Sequence, residues 1–154
     1  MALKVVLVRH GEAKGKKLGQ TDFDRELTKR GAAALREAFP KTFGLLEPTL
    51  ASELWVSTAV RARQTAEIAN ESLGIEIIRE RDYLYEQNQE AFLEELSQTN
   101  ADLVVVVGHI PFMEDACAML TGTFIGFSTG GVAAIEMKND RRGKLLWFVQ
   151  GSEA

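Results

Sequence analysis

The sequence is poor in the residues that build covalent or metal-held scaffolds. Its 154 residues include one cysteine, Cys117, so an internal disulfide framework and a cysteine-rich zinc site are both excluded. There are only two histidines, His10 and His109, too few for a metal centre built on imidazole. A basic excess is also missing. Lys and Arg total 18 against 22 Asp and Glu, a net charge of -4, which argues against non-specific nucleic-acid binding. No apolar run approaches the ~18 residues needed to cross a bilayer. The opening Met1-Ala2-Leu3-Lys4-Val5 is too short and too quickly interrupted to read as a secretory signal. These absences lead us to expect no nucleic-acid partner, no membrane partner and a reducing, cytoplasmic setting.

What remains is globular in balance, 45% hydrophobic and 26% charged. A chain of this length should bury roughly 70% of the surface its unfolded form exposes, enough to fold without staples. No Gly/Ser-rich or Pro-rich linker divides it and no repeat is visible, so one domain over residues 1–154 is expected.

Leu3 to Val8 reads as a buried strand, followed by a polar, glycine-bearing loop over Arg9 to Glu26. Thr28 can cap a helix that puts Ala32, Leu35 and Phe39 on one face, with Pro40 and Gly44 disturbing its end. Leu54–Val56 predicts a strand, 59–73 a helix stopped by Gly74, and Ile75–Ile78 another strand. Residues 89–96 predict a helix burying Phe92, Leu93 and Leu96. Leu103–Val107 is a continuous apolar run of the kind buried on both faces. Pro111 suits the opening of a helix that runs to about Leu120. Val132–Met137 and Leu145–Val149 flank the turn-like Asn139-Asp140-Arg141-Arg142-Gly143. Alternating strands and helices imply an α/β/α sandwich of three layers around a largely parallel sheet. Ligands in such folds bind beyond the carboxyl ends of the strands.

Both histidines stand there. The first strand runs into Arg9-His10-Gly11-Glu12 and the central one into Gly108-His109-Ile110-Pro111. A neutral imidazole can take a phosphoryl group covalently and divide one hard transfer into two easier ones. The charge on the transferring group calls for fixed cationic donors, which arginine supplies as a planar fork. Arg9 adjoins His10, and Gly11 would let backbone come close to a phosphate.

A second arginine comes from the helix after Ser57-Thr58. Ala62, Ala66, Ala69 and Leu73 recur at helical spacing. Arg63 then falls on a solvated flank where Glu67 can pair with it. Arg61 falls on the opposite flank with Thr65 and Ile68. It also sits in the first turn, where the helix dipole disfavours a cation, and a bound anion would account for it. Elsewhere the readings are plainer. Glu12 can compensate Arg9. Asp22 and Asp24 resemble a metal pair only superficially and read as loop residues. Lys14, Lys16 and Lys17 form either a solvated loop tip or a basic element that steers an acidic phosphoprotein. Gly15-Lys16-Lys17 lacks the spacing and the hydroxyl of a nucleotide-binding P-loop. Cys117 reads as a small buried hydrophobe.

In order along the chain, Arg9-His10-Gly11, Leu27-Thr28-Lys29-Arg30-Gly31, the segment 56–65, Gly108-His109 and Phe127-Ser128-Thr129-Gly130-Gly131 resemble the landmarks of the histidine phosphatase superfamily, whose fold is that of phosphoglycerate mutases. Length and the Arg-His-Gly-Glu-Ala opening are most similar to its SixA branch of phosphohistidine phosphatases. The resemblance implies His10 as nucleophile and Arg9, Arg61 and His109 as the phosphate pocket, with Gly11 and Ser57 beside the substrate. It implies no metal and no organic cofactor. Arg25-Glu26-Leu27-Thr28 departs from the Arg-Pro-Leu-Thr common in the family. Glu86 lies where larger relatives carry a proton donor, and reads equally as a solvated loop acid. The expected activity is metal-independent phosphoryl transfer from a phosphorylated protein to His10 and then to water. The alternatives are a phosphatase for a small phosphorylated molecule and a non-catalytic phosphate-binding module.

Overall fold

The computed structural model describes residues 3–139 and 141–151. Asp140, in the turn expected at 139–143, lies outside them, as do Met1, Ala2 and the last three residues. Strand β1 spans Lys4–Arg9, β2 Glu53–Ser57, β3 Ile77–Arg81, β4 Leu103–Gly108, β5 Val132–Met137 and β6 Gly143–Val149. Helix α1 spans Lys29–Phe43, α2 Val60–Leu73, α3 Asp82–Tyr85, α4 Gln89–Gln98 and α5 Phe112–Thr121. The six strands form one sheet in the order β3-β2-β4-β1-β5-β6. β1, β2, β3 and β4 pair in parallel, and β5 and β6 add two antiparallel strands at one edge.

The alternation of side chains along β1 and β4 divides the core into two layers. Val6, Val8, Val105 and Val107 face α1 and α2, meeting Leu35, Phe39, Ala62 and Ala69. Val5, Leu7, Val104 and Val106 face the opposite layer, meeting Phe92, Leu96, Met113 and Cys117. β4 is buried at every residue, as its unbroken valine run requires. Cys117 is a free, buried thiol in that second layer.

Several boundaries differ from expectation for local reasons. Thr28 does cap α1, its hydroxyl accepting from the Gly31 N–H at 2.8 Å. Pro40 does not end that helix. It lies on the exposed side, while Phe39, Thr42 and Phe43 are buried and carry the helix past it. Ile75 is not in β3. The Asn70 side chain donates to its carbonyl and accepts from its N–H, which holds residue 75 in the turn after α2 and delays the strand to Ile77. β3 is an edge strand, so its polar residues are exposed, and periodicity in apolar residues underestimates its length. Pro111 precedes α5 rather than opening it. Leu93 is half-buried rather than buried.

Candidate active site

β1 and β4 are adjacent and parallel, with Arg9 opposite Gly108. The next residue of each strand is a histidine. The His10 N–H donates to the Gly108 carbonyl at 2.9 Å, which carries the strand pairing one step further. The two imidazoles therefore emerge side by side, with ring centroids 5.1 Å apart.

Both rings are buried. His10 Nδ1 lies 2.7 Å from the carbonyl oxygen of Gly11. That oxygen can only accept, so Nδ1 carries the proton and Nε2 keeps its lone pair. Burial pulls the His10 pKa down to about 4, and the charges of Arg61, Arg9 and Arg25 pull the same way against the Gly11 hydrogen bond. His109 is drawn down to about 3, first by burial and then by His10 and Arg61. Its Nε2 is 2.7 Å from the hydroxyl of Ser57, the last residue of β2, and its Nδ1 has no hydrogen-bond partner among the described residues.

The arginines converge from two directions. Arg9 ends β1, and its Nη1 donates to the Phe127 carbonyl at 2.8 Å. The Phe127 N–H in turn donates to Glu114 of α5. Arg61, in the first turn of α2, is buried with Thr65 and Ile68 as its helical flank predicts. Its Nη1 and Nη2 both bind Asp22, at the backbone oxygen and at Oδ2. The Nε atoms of Arg9 and Arg61 are buried without a partner among the described residues. Three buried nitrogens at one end of the sheet, two of them fixed cationic donors, suit an anion.

Gly11 finds its close approach in protein. A Cβ there would fall 2.7 Å from Leu35 Cδ1, and its N–H is spent on the Thr65 hydroxyl at 3.1 Å. Glu12 does not compensate Arg9. It accepts from Thr28 and from both Nε and Nη2 of Arg30, which ties the loop to the start of α1. Arg63 is exposed, and no ion pair with Glu67 forms among the described residues. Glu86 caps the C-terminus of α3 and is exposed.

Asp22, read as a plain loop residue, is a hub. Besides Arg61, it accepts from Arg25 Nε at 2.9 Å and from the Tyr85 hydroxyl at 2.9 Å. Tyr85 packs its ring edge-on to His109 with centroids 5.6 Å apart. Burial alone would raise the Asp22 carboxyl, but the hydrogen bonds from Tyr85, Arg25 and Arg61 outweigh it and bring it down to about 2. Asp24 accepts instead from Thr21. Among the described residues no group of three or more His, Cys, Asp or Glu is placed to hold a metal ion. Nor is any helix among them long and apolar enough to cross a membrane.

Residues 5–89 match the histidine phosphatase superfamily (branch 1). The chain belongs to that superfamily. No curated protein matches the sequence. Among solved structures, an Agrobacterium tumefaciens protein assigned as the phosphohistidine phosphatase SixA is 28% identical over 97% of this chain and 98% of its own, with a TM-score of 0.82. The protein histidine phosphatase SixA solved with tungstate is 23% identical over 96% of this chain and 97% of its own, with a TM-score of 0.80. An Escherichia coli protein assigned as an alpha-ribazole-5'-P phosphatase is 18% identical over 100% of this chain and 98% of its own, with a TM-score of 0.74. The latter two likenesses are of fold. Family and fold together support phosphatase chemistry for this histidine phosphatase.

Proposed function

We propose that the protein is a metal-independent phosphatase that takes a phosphoryl group onto Nε2 of His10 and passes it to water, acting on a phosphohistidine protein as one catalytic domain. The observation that carries this reading is the His10 ring: buried, kept neutral, and anchored through Nδ1 so that Nε2 is the free nucleophile. In the first step the bond from Nε2 to phosphorus forms and the bond from phosphorus to the substrate imidazole breaks. A substrate imidazole protonated on its other nitrogen departs neutral and asks for no further proton. In the second step water attacks phosphorus, the bond to Nε2 breaks and His10 returns to its neutral form. The proton lost by the water leaves with the phosphate. Arg9 and Arg61 stabilise the charge spread over the phosphoryl oxygens as fixed cations, a role they fill without a metal ion, and the neutral His109 adds a hydrogen bond through its unpartnered Nδ1. Ser57 holds the His109 ring.

A phosphoramidate fits because, among the described residues, the side chains acting on His10 are arginines and the neutral His109 rather than a carboxylic acid. An alkoxide leaving group would need one, whereas an imidazole does not. The second reading is a small-metabolite phosphatase with Glu86 as its acid, favoured by the similar fold of the alpha-ribazole-5'-P phosphatase.

The test is a matched series of phosphohistidine, aryl and alkyl phosphates on wild type, Glu86→Gln and His10→Ala. We expect phosphohistidine and aryl substrates to be turned over well ahead of alkyl ones, with little effect of Glu86→Gln. His10→Ala should abolish turnover, and the wild type should trap an acid-labile phosphoryl group on residue 10. Activity should survive exhaustive chelation with EDTA. Efficient alkyl hydrolysis lost in Glu86→Gln favours the metabolite reading. Phosphate binding without turnover of any substrate would make the protein a binding module.

A further inference from the structure

Between Ala13, which bridges Leu27, and the 3-10 turn Asp22–Asp24, the chain makes an excursion away from the body of the protein. Residues 14–19 are exposed one after another, and Leu18 stands fully in solvent. A Cβ added at Gly15 or Gly19 would meet nothing within 4 Å. Lys14, Lys16 and Lys17 place three positive charges in this stretch, which contains no acid. None of the three ammonium groups has an ion-pair partner among the described residues, whereas nearby Arg25, Arg30 and Arg61 each hold a carboxylate. The neighbouring acids are already engaged: Glu12 by Arg30, Asp22 by Arg25 and Arg61, Asp24 by Thr21 and Glu26 by Gln64. In a protein of net charge -4, these lysines form an exposed run of positive charge without an ion-pair partner among the described residues.

The root of this loop is fixed to the site. The Lys14 N–H donates to the Glu26 carbonyl at 2.8 Å. The Lys14 carbonyl accepts from Nη1 of Arg25, whose Nε holds Asp22 against Arg61. Lys14 is the fourth residue after His10, so their Cα atoms are at most about 14 Å apart. A protein footprint of standard size, about 800 Å² per partner, has a radius of about 16 Å. A folded partner whose footprint of that size is centred on His10 therefore extends to the root of this loop. A small phosphorylated metabolite has no footprint of that size.

We propose that the loop Lys14–Gly19 is a docking element for an acidic protein surface surrounding the phosphorylated side chain, with the lysines drawing that surface in and Leu18 as an apolar contact within it. This rests on the phosphoprotein reading above and selects among phosphoproteins those with acidic surroundings. Unpaired surface lysines act over about a Debye length and chiefly raise the association rate, so the effect belongs in kcat/KM and fades with salt.

The experiment uses two histidine-phosphorylated peptides of equal length, one flanked by Asp and Glu and one by Asn and Gln, together with 4-nitrophenyl phosphate. Wild type is compared with the double variant Lys16→Glu/Lys17→Glu. We expect kcat/KM on the acidic peptide to fall ~10-fold or more in the variant, within the range of electrostatic steering. The aryl phosphate should be unaffected, which also reports that the variant is folded. The wild-type preference for the acidic peptide should vanish at high salt. Equal turnover of both peptides by wild type overturns the docking element alone. So does an equal loss on the peptide and the aryl phosphate. Turnover of the aryl phosphate with neither peptide cleaved removes the phosphoprotein reading, and the docking element with it.

Discussion

Asp22 holds both terminal nitrogens of Arg61: the backbone oxygen lies 2.8 Å from Nη1 and Oδ2 lies 3.1 Å from Nη2. An anionic phosphoryl group arriving at Arg61 therefore competes with a carboxylate already there. Replacing Asp22 by Asn keeps the backbone acceptor and removes the charge. We expect Asp22→Asn to lower the inhibition constant of inorganic phosphate by about 2- to 5-fold, since a half-exposed pair is worth up to about 1 kcal/mol. Steady-state inhibition measures it. A weaker affinity would instead mean that the carboxylate charge places the guanidinium.

Arg61→Ala should reduce kcat by ~10² to 10³, the usual value of one transition-state donor. Arg63→Ala, two residues away and exposed, should change it little. Parallel kinetics on the two variants decide this. Equal losses would show that helical facing does not separate them.

The pH dependence follows from the two buried imidazoles. Their folded pKa values, about 4 for His10 and about 3 for His109, lie below the ordinary histidine value. The acid limb of kcat/KM on an aryl phosphate should therefore fall near pH 4 once the substrate's own ionisation is allowed for, because this parameter reports the free enzyme. The sign for stability follows from proton binding. Between about pH 6.5 and the folded values the unfolded chain binds more protons, so stability falls as pH falls through that window and stops falling below it on this account. In His10→Asn the part of this loss owed to His10 should be absent, as urea titrations across the window can measure. An acid limb near pH 6.5 would count against a buried, neutral nucleophile.

Gly11→Ala should destabilise the fold by ~1–3 kcal/mol, the usual cost of overpacking a buried site. The added methyl meets Leu35 Cδ1 at 2.7 Å and Cγ at 3.1 Å, so it cannot be avoided by the tip of the side chain alone. Leu35→Ala should recover part of the loss when combined with it. Thermal or denaturant unfolding of the two single variants and the double variant checks the coupling.

The parts of the site that could be read from sequence share a property. His10 and His109 each follow a buried apolar run, so the strand pattern itself located them at the sheet's carboxyl edge. Arg61 was visible because a cation on a half-apolar flank in a helix's first turn contradicts the local rule. Asp22 offered no such signal. It meets Arg61 across 39 residues and Tyr85 across 63, and neither spacing is periodic. Tyr85 belongs to the four-residue α3, too short for a helical pattern to emerge. Glu12 lies only three residues beyond Arg9 yet pairs with Arg30, because past the end of β1 the chain runs beside the start of α1, a placement that no local spacing reveals. The start of β3 was hidden for a related reason: a side chain five residues back, Asn70, decides where Ile75 goes.

The side-by-side placement of His10 and His109 depends on counting. β1 and β4 are six residues each, paired in register from Lys4 with Leu103 to Arg9 with Gly108. Exchanging one valine for isoleucine in either strand alters packing and leaves the histidines where they are. Inserting or deleting one residue in either strand shifts everything beyond it by one pleat, which turns the histidine toward the other face of the sheet. Lineages carrying this site can therefore vary the identity of these buried residues far more freely than their number. A single-codon insertion in β4 should silence the enzyme even if every residue named above is retained.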